Sequence, residues 1–176
     1  MFVVVAHAGE LRVGPLHLYL MISIDIPGFR QLELAHLVLD YNGMLALDGK
    51  LLPGVAEQLA GVAPAICIHV ITADTFGLAE AQLSGLPIEL TITPGESQAE
   101  AKLQFVSELG ANTVVAIGNG RNDRKMLSAA ALGIALIQRE GGAAETLASA
   151  DVVCTSVLDA LELLRHPKRL VATLRS

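Results

Sequence analysis

Three apolar runs of strand length in this chain each stop on a polar group. HLVL, residues 36–39, runs into Asp40; AICIHVIT, residues 65–72, ends on Thr72. TVVAI, residues 113–117, runs into Gly118-Asn119-Gly120-Arg121-Asn122-Asp123. Continuous apolar runs of this length are the signature of strands covered on both faces. In parallel α/β sheets, sites form beyond the carboxyl ends of the strands. A carboxylate, a hydroxyl and an amide-rich loop thus fall where such a sheet builds its chemistry, a set that a purely structural sheet has no use for. Lys102 adds an ammonium from a helical segment, between Ala99 and Val106 on the margin of its apolar face.

Each group also has a plainer role. Asp40-Tyr41-Asn42-Gly43 between two apolar runs reads as a hairpin turn, since Asn-Gly tolerates positive φ, and a catalytic loop can also be a tight turn. Thr72 fits as a β-branched strand residue. Gly118–Asp123 fits a strand-to-helix turn with Asp123 as N-cap. It is no dinucleotide fingerprint, because Asp123 stands where the third glycine belongs. Lys102 also reads as a snorkelling surface lysine. Cys67 and His69 point the same way on one strand, but no second Cys/His pair completes a zinc set, so both are assigned to the core.

The elements that must position these groups alternate. Ile22–Ile26 alternates apolar and polar and ends at Pro27-Gly28; Leu32–Asp40 is also β-rich. A helix starts after Pro53 and ends near Gly61. Phe76–Ser84 reads as a helix stopped by Gly85, and Ile88–Ile92 as a short strand. Glu96–Leu109 reads as a helix with Ala99, Leu103 and Val106 on one face and Gly110 at its end. Asp123–Ala130 as helix, Gly133–Ile137 as strand, then Ala143–Ala148, Val152–Cys154 and Val157–Arg165 complete the alternation. Strands alternating with helices of this length imply βαβ units and a parallel sheet. Residues 1–20 fit least and are expected to be a weakly ordered N-terminal extension, with Met21 opening the domain over 21–176. The tail His166-Pro167-Lys168-Arg169 reads as a solvated terminus.

A length of 176 residues suits one domain. Apolar residues at 52% against 17% charged exclude disorder, and aromatics at 3% leave the core to Leu, Ile, Val and Ala. The net charge of −6 argues against nucleic acid or an anionic membrane as partner, both of which need clustered positive charge. Two separated cysteines suit a reducing cytosol, no apolar stretch has the length of a membrane span, and the first residues make a poor signal peptide. The expectation is a soluble cytoplasmic protein.

Taken in order, Asp40-x-Asn42-Gly43-x-Leu45, Thr72 at a strand end, Lys102, and Gly118-Asn119-Gly120-x-Asn122-Asp123 resemble the four motifs of the haloacid dehalogenase (HAD) superfamily over roughly residues 22–165. IGNGRND and LDYNGMLALDG are most similar to the soluble relatives of the P-type ATPase phosphorylation domain. The resemblance implies a three-layer Rossmann-like α/β fold with a mainly parallel five-stranded sheet of order 5-4-1-2-3, plus an N-terminal edge hairpin. It also implies Mg²⁺-dependent phosphoryl transfer, with Asp40 as nucleophile forming an aspartyl-phosphate. Mg²⁺ would be held by Asp40, the Asn42 carbonyl, Asp123 and Asn119. Thr72, Ala73 and backbone N–H groups near Gly43 would hold phosphate oxygens, and Lys102 would neutralise charge; anion attacking anion requires such relief. Met44–Lys50 would form a flap hairpin. With only about twenty residues between the first two core strands, there is no room for a cap, so the site would be open or covered by a second subunit of a homo-oligomer. The implied substrate is a small phosphorylated metabolite or nucleotide.

Three departures bear on activity. Efficient members carry Asp where Asn42 stands, and an amide exchanges no proton at neutral pH; general acid–base help is worth about 10²–10⁴-fold. Met44 replaces a Thr. Asn119 replaces a ligand Asp and lowers the expected Mg²⁺ affinity. A slow phosphohydrolase and a non-catalytic module that binds phosphate or Mg²⁺, or mediates assembly, both follow from this pattern. A phospho-acceptor receiver does not, because Lys102 is mid-helix and no early acidic pair is present.

Overall fold

A computed structural model describes residues 21–93 and 95–176; the expected N-terminal extension, 1–20, lies outside the described residues. Six parallel strands form the central sheet: β3 (His36–Leu39), β6 (Cys67–Thr72), β7 (Glu89–Ile92), β8 (Val114–Gly118), β9 (Leu132–Leu136) and β10 (Val152–Cys154), in the order β10-β9-β8-β3-β6-β7. The first five of these core strands stand in the expected order 5-4-1-2-3, and β10 extends the sheet beyond β9. The strand bearing Asp40 therefore lies between two neighbours, with Leu37 paired to Ile68 on one side and Val115 on the other.

Alternation along the strands sorts their side chains onto two faces. Leu37, Leu39, Val115, Ile117, Ile134 and Leu136 pack with Val55 and Leu59 of α1 (Val55–Val62) and Leu161 and Leu164 of α6 (Val157–Arg165). Val38, Val114, Ala116 and Ala135 face the other way, onto Val106 of α3 (Gln98–Leu109) and Met126 and Leu127 of α4 (Arg124–Ala129). Two short helices, α2 (Ala79–Leu83) and α5 (Ala144–Leu147), complete the helical layers. Among the described residues, no helix is long and apolar enough to cross a membrane.

Two expectations change. The hairpin of β1 (Ile22–Ile26) and β2 (Arg30–Leu34) is a separate two-stranded antiparallel sheet, not a lateral edge of the main one. It leads through Ala35 into the central strand and pairs with neither edge strand of the main sheet. Ala35 itself bonds to Thr113 and Cys67 on the two flanks. In the tail, His166, Lys168 and Arg169 are exposed but do not form an unstructured end: Pro167–Leu174 forms helix α7, with Pro at its start and Leu170 fully buried against the core that contains β1. The signal was present in Pro167 at a first helical turn followed by Leu170, Val171 and Leu174 at helical spacing.

At the N-terminal ends of the strands, away from Asp40, the register pairs His36 with Cys67 and His69 with Glu89. His36 Nδ1 lies 3.0 Å from His69 Nε2, so one ring donates and the other accepts. His69 Nδ1 lies 3.1 Å from Glu89 Oε2, and the ring packs edge-on against Phe105 of α3. Burial holds both imidazole pKa values below the ordinary 6.5, with Glu89 pulling the other way, and burial pushes the Cys67 thiol up. Among the described residues, no three His, Cys, Asp or Glu side chains gather into a metal cluster. Because the folded pair favours the neutral rings, the unfolded chain takes up protons first as pH falls below about 6.5. This contribution to stability is complete above that pH and is lost below it. Melting temperatures measured from about pH 7.5 to 5 should therefore fall, and His69→Leu should flatten the slope; an unchanged slope would contradict the assignment.

Candidate active site at the carboxyl ends of the strands

Asp40 follows directly on β3, where its N–H donates to the Ile117 carbonyl of β8 at 3.2 Å; the residue is 7% exposed. The chain then turns sharply. Gly43 N–H donates to the Ala46 carbonyl at 2.9 Å, and the Met44 and Ala46 N–H groups donate to the Tyr41 carbonyl. Beyond the turn, β4 (Ala46–Leu47) and β5 (Lys50–Leu51) form the flap hairpin. Met44 and Leu45 are buried beneath it, so the hairpin ladder covers 46–51 within and just past the expected segment. The buried Tyr41 hydroxyl donates to the Gly49 carbonyl at 2.9 Å and ties the hairpin's tip to the loop below.

Lys102 is neither marginal nor snorkelling. It lies on the buried side of α3 with Val106, fully enclosed, while Ala99 and Leu103 are only half-buried. Its Nζ lies 2.8 Å from Asp40 Oδ1 and 2.6 Å from Asp123 Oδ1. Burial alone would depress the ammonium's pKa; Asp40 and Asp123 together reverse this and raise it.

Asp123 is fully buried at the end of a 3₁₀ turn, Arg121–Asp123. It occupies the N-cap position of α4, but its side chain makes no cap bond there. It turns back instead: Oδ2 accepts from the N–H groups of Asn119 at 2.9 Å and Gly120 at 2.8 Å. The fold-back needs Gly118, where a Cβ would stand 2.5 Å from the Asp123 carboxyl. Burial, then the charge of Asp40, push the Asp123 pKa up to about 6 against the pull of Lys102, which leaves it ionised at neutral pH.

Two amide oxygens in the loops that follow β3 and β8 have no partner. Asn42 Oδ1 and Asn119 Oδ1 are both buried and accept no hydrogen bond. Asn119 is 7% exposed; its Nδ2 reaches the Gly141 carbonyl at 3.4 Å and its own carbonyl accepts from Ala143 N–H at 2.9 Å. Gly43 adopts φ +72°, and a Cβ there would stand 2.7 Å from both Asn119 Nδ2 and Glu140 Oε2. Buried oxygens that lack donors suit a hard cation, whose ligands are carboxylates, amides and carbonyls. Asp40, the Asn42 backbone carbonyl, Asn119 and Asp123 could supply such a set; the Asp123 oxygens also accept from Lys102 and the loop amides.

Thr72 ends β6 one strand away from Asp40 on the same edge of the sheet, 1% exposed. Its Oγ1 accepts from Asp74 N–H at 3.0 Å, which leaves the hydroxyl proton free to donate. The half-buried Ala73 follows it. The N–H of Gly43, expected to hold phosphate, is spent inside its own turn.

The sequence reading missed the residues that brace these groups. Gln138 Nε2 donates to the carbonyls of Gly43 at 3.1 Å and Met44 at 2.9 Å, while its Oε1 accepts from Val157 N–H. The buried Thr146 hydroxyl donates to the Gly120 carbonyl at 2.7 Å. Gln138 lies two residues past β9, so the strand-end rule applied to Asp40 and Thr72 would have found it. Thr146, within a short helix, carried no such signal.

No family model matches the chain. Solved structures share its architecture. The 3-deoxy-D-manno-octulosonate 8-phosphate phosphatase of Moraxella catarrhalis, in complex with magnesium, phosphate and a KDO molecule, superposes with a TM-score of 0.59 at 20% identity, over 81% of this chain and 94% of that one. A cobalt-bound deoxy-D-mannose-octulosonate 8-phosphate phosphatase from Haemophilus influenzae gives 0.63 at 13% identity, over 81% and 94%. The catalytic domain of the CPx-ATPase CopB-B gives 0.55 at 21%, over 65% of this chain and 46% of that one. The fold is that of the haloacid dehalogenase superfamily, shared by its phosphatases and by P-type ATPase catalytic domains. In sequence, the chain belongs to one family with an uncharacterized protein of Methanocaldococcus jannaschii, 42% identical over 83 residues that span 45% of this chain and 89% of that protein.

Removing one member of a buried charge cluster leaves the others uncompensated. Lys102→Met should cost about 3–5 kcal/mol of stability in urea unfolding. Without the ammonium, the folded-state pKa of Asp123 rises further above its unfolded value, so the deficit should shrink as pH falls. A loss below about 1 kcal/mol would mean that the cluster is not desolvated.

Proposed function

We propose that this protein is a slow, divalent-cation-dependent phosphohydrolase that moves the phosphoryl group of a small phosphorylated metabolite or nucleotide first onto Asp40 and then to water. The observation that carries the reading is the fully buried Lys102 ammonium, which contacts both Asp40 and Asp123. A lysine enclosed in this way, at the edge of a parallel sheet, is a device for concentrating positive charge where an anion must approach another anion. The fold shared with phosphatases supports the same reaction class.

Mg²⁺ is the cation the donor set favours: Asp40, the Asn42 carbonyl, Asn119 and Asp123 would hold it, all through oxygen. When bound, it would neutralise charge on the phosphoryl oxygens. The rest falls to the chain. Asp40 keeps one oxygen on Lys102 and turns the other to phosphorus; the new O–P bond forms as the bond to the leaving oxygen breaks. Thr72 donates its free hydroxyl proton to a phosphoryl oxygen, next to Ala73, while Lys102 offsets the charge that gathers there. Asp123 also acts through others: it fixes Lys102 and, through two loop amides, the position of Asn119. Water then attacks phosphorus and releases Asp40.

Asn42 stands where a proton would have to be given to the leaving group and later taken from water, and its amide does neither. The second step therefore has no general base, and the phosphorylated form of Asp40 should be long-lived. We read the site as uncapped, since only the flap hairpin and α1 separate β3 from β6, and the flap is its one nearby cover from that segment.

Release of phosphate from an aryl phosphate with Mg²⁺ should be measurable but slow, and Asp40→Asn should abolish it; full activity in that variant would remove Asp40 as the nucleophile. Asn42→Asp should raise turnover about a hundredfold, the low side of what general acid–base catalysis is worth. No gain would place the limiting defect elsewhere, with Met44 and Asn119 the next residues to exchange.

A further inference from the structure

The loop after β9, residues 137–143, is bonded to the site from several directions. Gln138 clamps the carbonyls of Gly43 and Met44; Gly141 accepts from Asn119 Nδ2; Ala143 N–H donates to the Asn119 carbonyl; and Gln138 accepts from the start of α6. Such bracing is unusual for a loop whose middle residues, Arg139 and Glu140, are exposed. Its effect is to hold the loop backbone next to the Asp40 turn, where the Glu140 carboxylate lies. Glu140 Oε2 comes within 2.7 Å of the point where a Cβ on Gly43 would sit, and Asn119 Nδ2 reaches the same point from its own side. Among the described residues, no Lys, Arg or His forms an ion pair with Glu140. The buried Asn119, meanwhile, leaves Oδ1 without a donor.

We propose that Glu140 is the second free carboxylate of the cation site: from across Gly43, it supplies the negative charge that Asn119 lacks. The inference rests on the phosphohydrolase reading of the same site. Asp40 and Asp123 share one ammonium, so the cluster holds a net charge of only one, too little to attract a divalent cation strongly. Glu140 restores a second unit at short range, without a partner to cancel it. Its role is electrostatic and positional: it need not touch the cation, since carboxylates just outside a metal's ligands govern affinity by about 10–100-fold. The glycine at 43 is what lets the carboxylate approach. Any side chain there would displace Glu140 or Asn119.

The test is a Mg²⁺ titration of the full chain at constant ionic strength, read by thermal shift with and without beryllofluoride. The parent should give a saturable rise in melting temperature. Glu140→Gln, an exposed and unpaired position, should fold normally and need roughly tenfold more Mg²⁺ for the same shift. Adding Asn119→Asp to that variant should return the midpoint toward the parent, because the charge is then supplied from the neighbouring position. Asp25→Asn, in the hairpin at the far end of the sheet, should leave the midpoint unchanged and so separate local charge from net charge. Equal midpoints for the parent and Glu140→Gln would overturn the role of Glu140 while leaving the phosphohydrolase reading intact. No saturable shift in the parent, even with beryllofluoride, would overturn both.

Discussion

A lysine ammonium sealed from water and held between two carboxylates is the constraint on which the rest of this structure turns. It can exist only if three parts of the chain, remote in sequence, meet within hydrogen-bonding distance: the end of β3, the middle of α3 and the turn that opens α4. Each contact covers a desolvation cost that the others could not meet alone. The six-stranded sheet, whose four central strands are buried on both faces, is the frame that brings these parts together. Gly118 and the loop amides of Asn119 and Gly120 aim Asp123 at the ammonium instead of at its own helix.

Much of this was legible because parallel strands covered on both faces leave a plain record. HLVL, CIHVIT and VVAIG are strands with almost no polar interruption, and the polar residues that end them are where the sheet's edge must be. The order of the five core strands came from the family resemblance that their motifs carry. What stayed hidden was direction. A lysine between Ala99 and Val106 satisfies a surface reading and a buried one equally well, and only the two carboxylates, one of them 62 positions upstream, decide between them. Residues 166–169 hid the helix they open for a related reason: Lys168 and Arg169 are exposed, while Leu170, on the other side of the same turn, carries the packing. The bracing by Gln138 and Thr146 is side chain to backbone across distant loops, a kind of contact that leaves no local pattern.

Amides stand at two positions of the site, 42 and 119, where acids would raise negative charge. Their shared trait is an oxygen that can accept but can neither ionise nor give up a proton. On the proposed reading, a site built on amides would be less repulsive to an incoming anion and less attractive to a cation, and affinity would shift from the metal toward the phosphorylated partner. Charge then has to be adjusted from the periphery, where a loop can change without disturbing the buried cluster. Selection acting on residues 137–143 could thus retune the site while β3, α3 and the Asp123 turn stay as they are.

The bond from the Tyr41 hydroxyl to the Gly49 carbonyl has a mechanical meaning. A phenol planted in the interior one residue past Asp40 grips the tip of the β4–β5 ribbon from below, and the Leu52 N–H to Leu45 carbonyl bond closes its base. The ribbon is thereby a rigid awning, not a swinging door: it travels only as far as the strand beneath it does. On the proposed reading, selection of a substrate would fall to a fixed outline, and the exposed residues at positions 48 and 50 of the ribbon could be exchanged without disturbing the buried cluster.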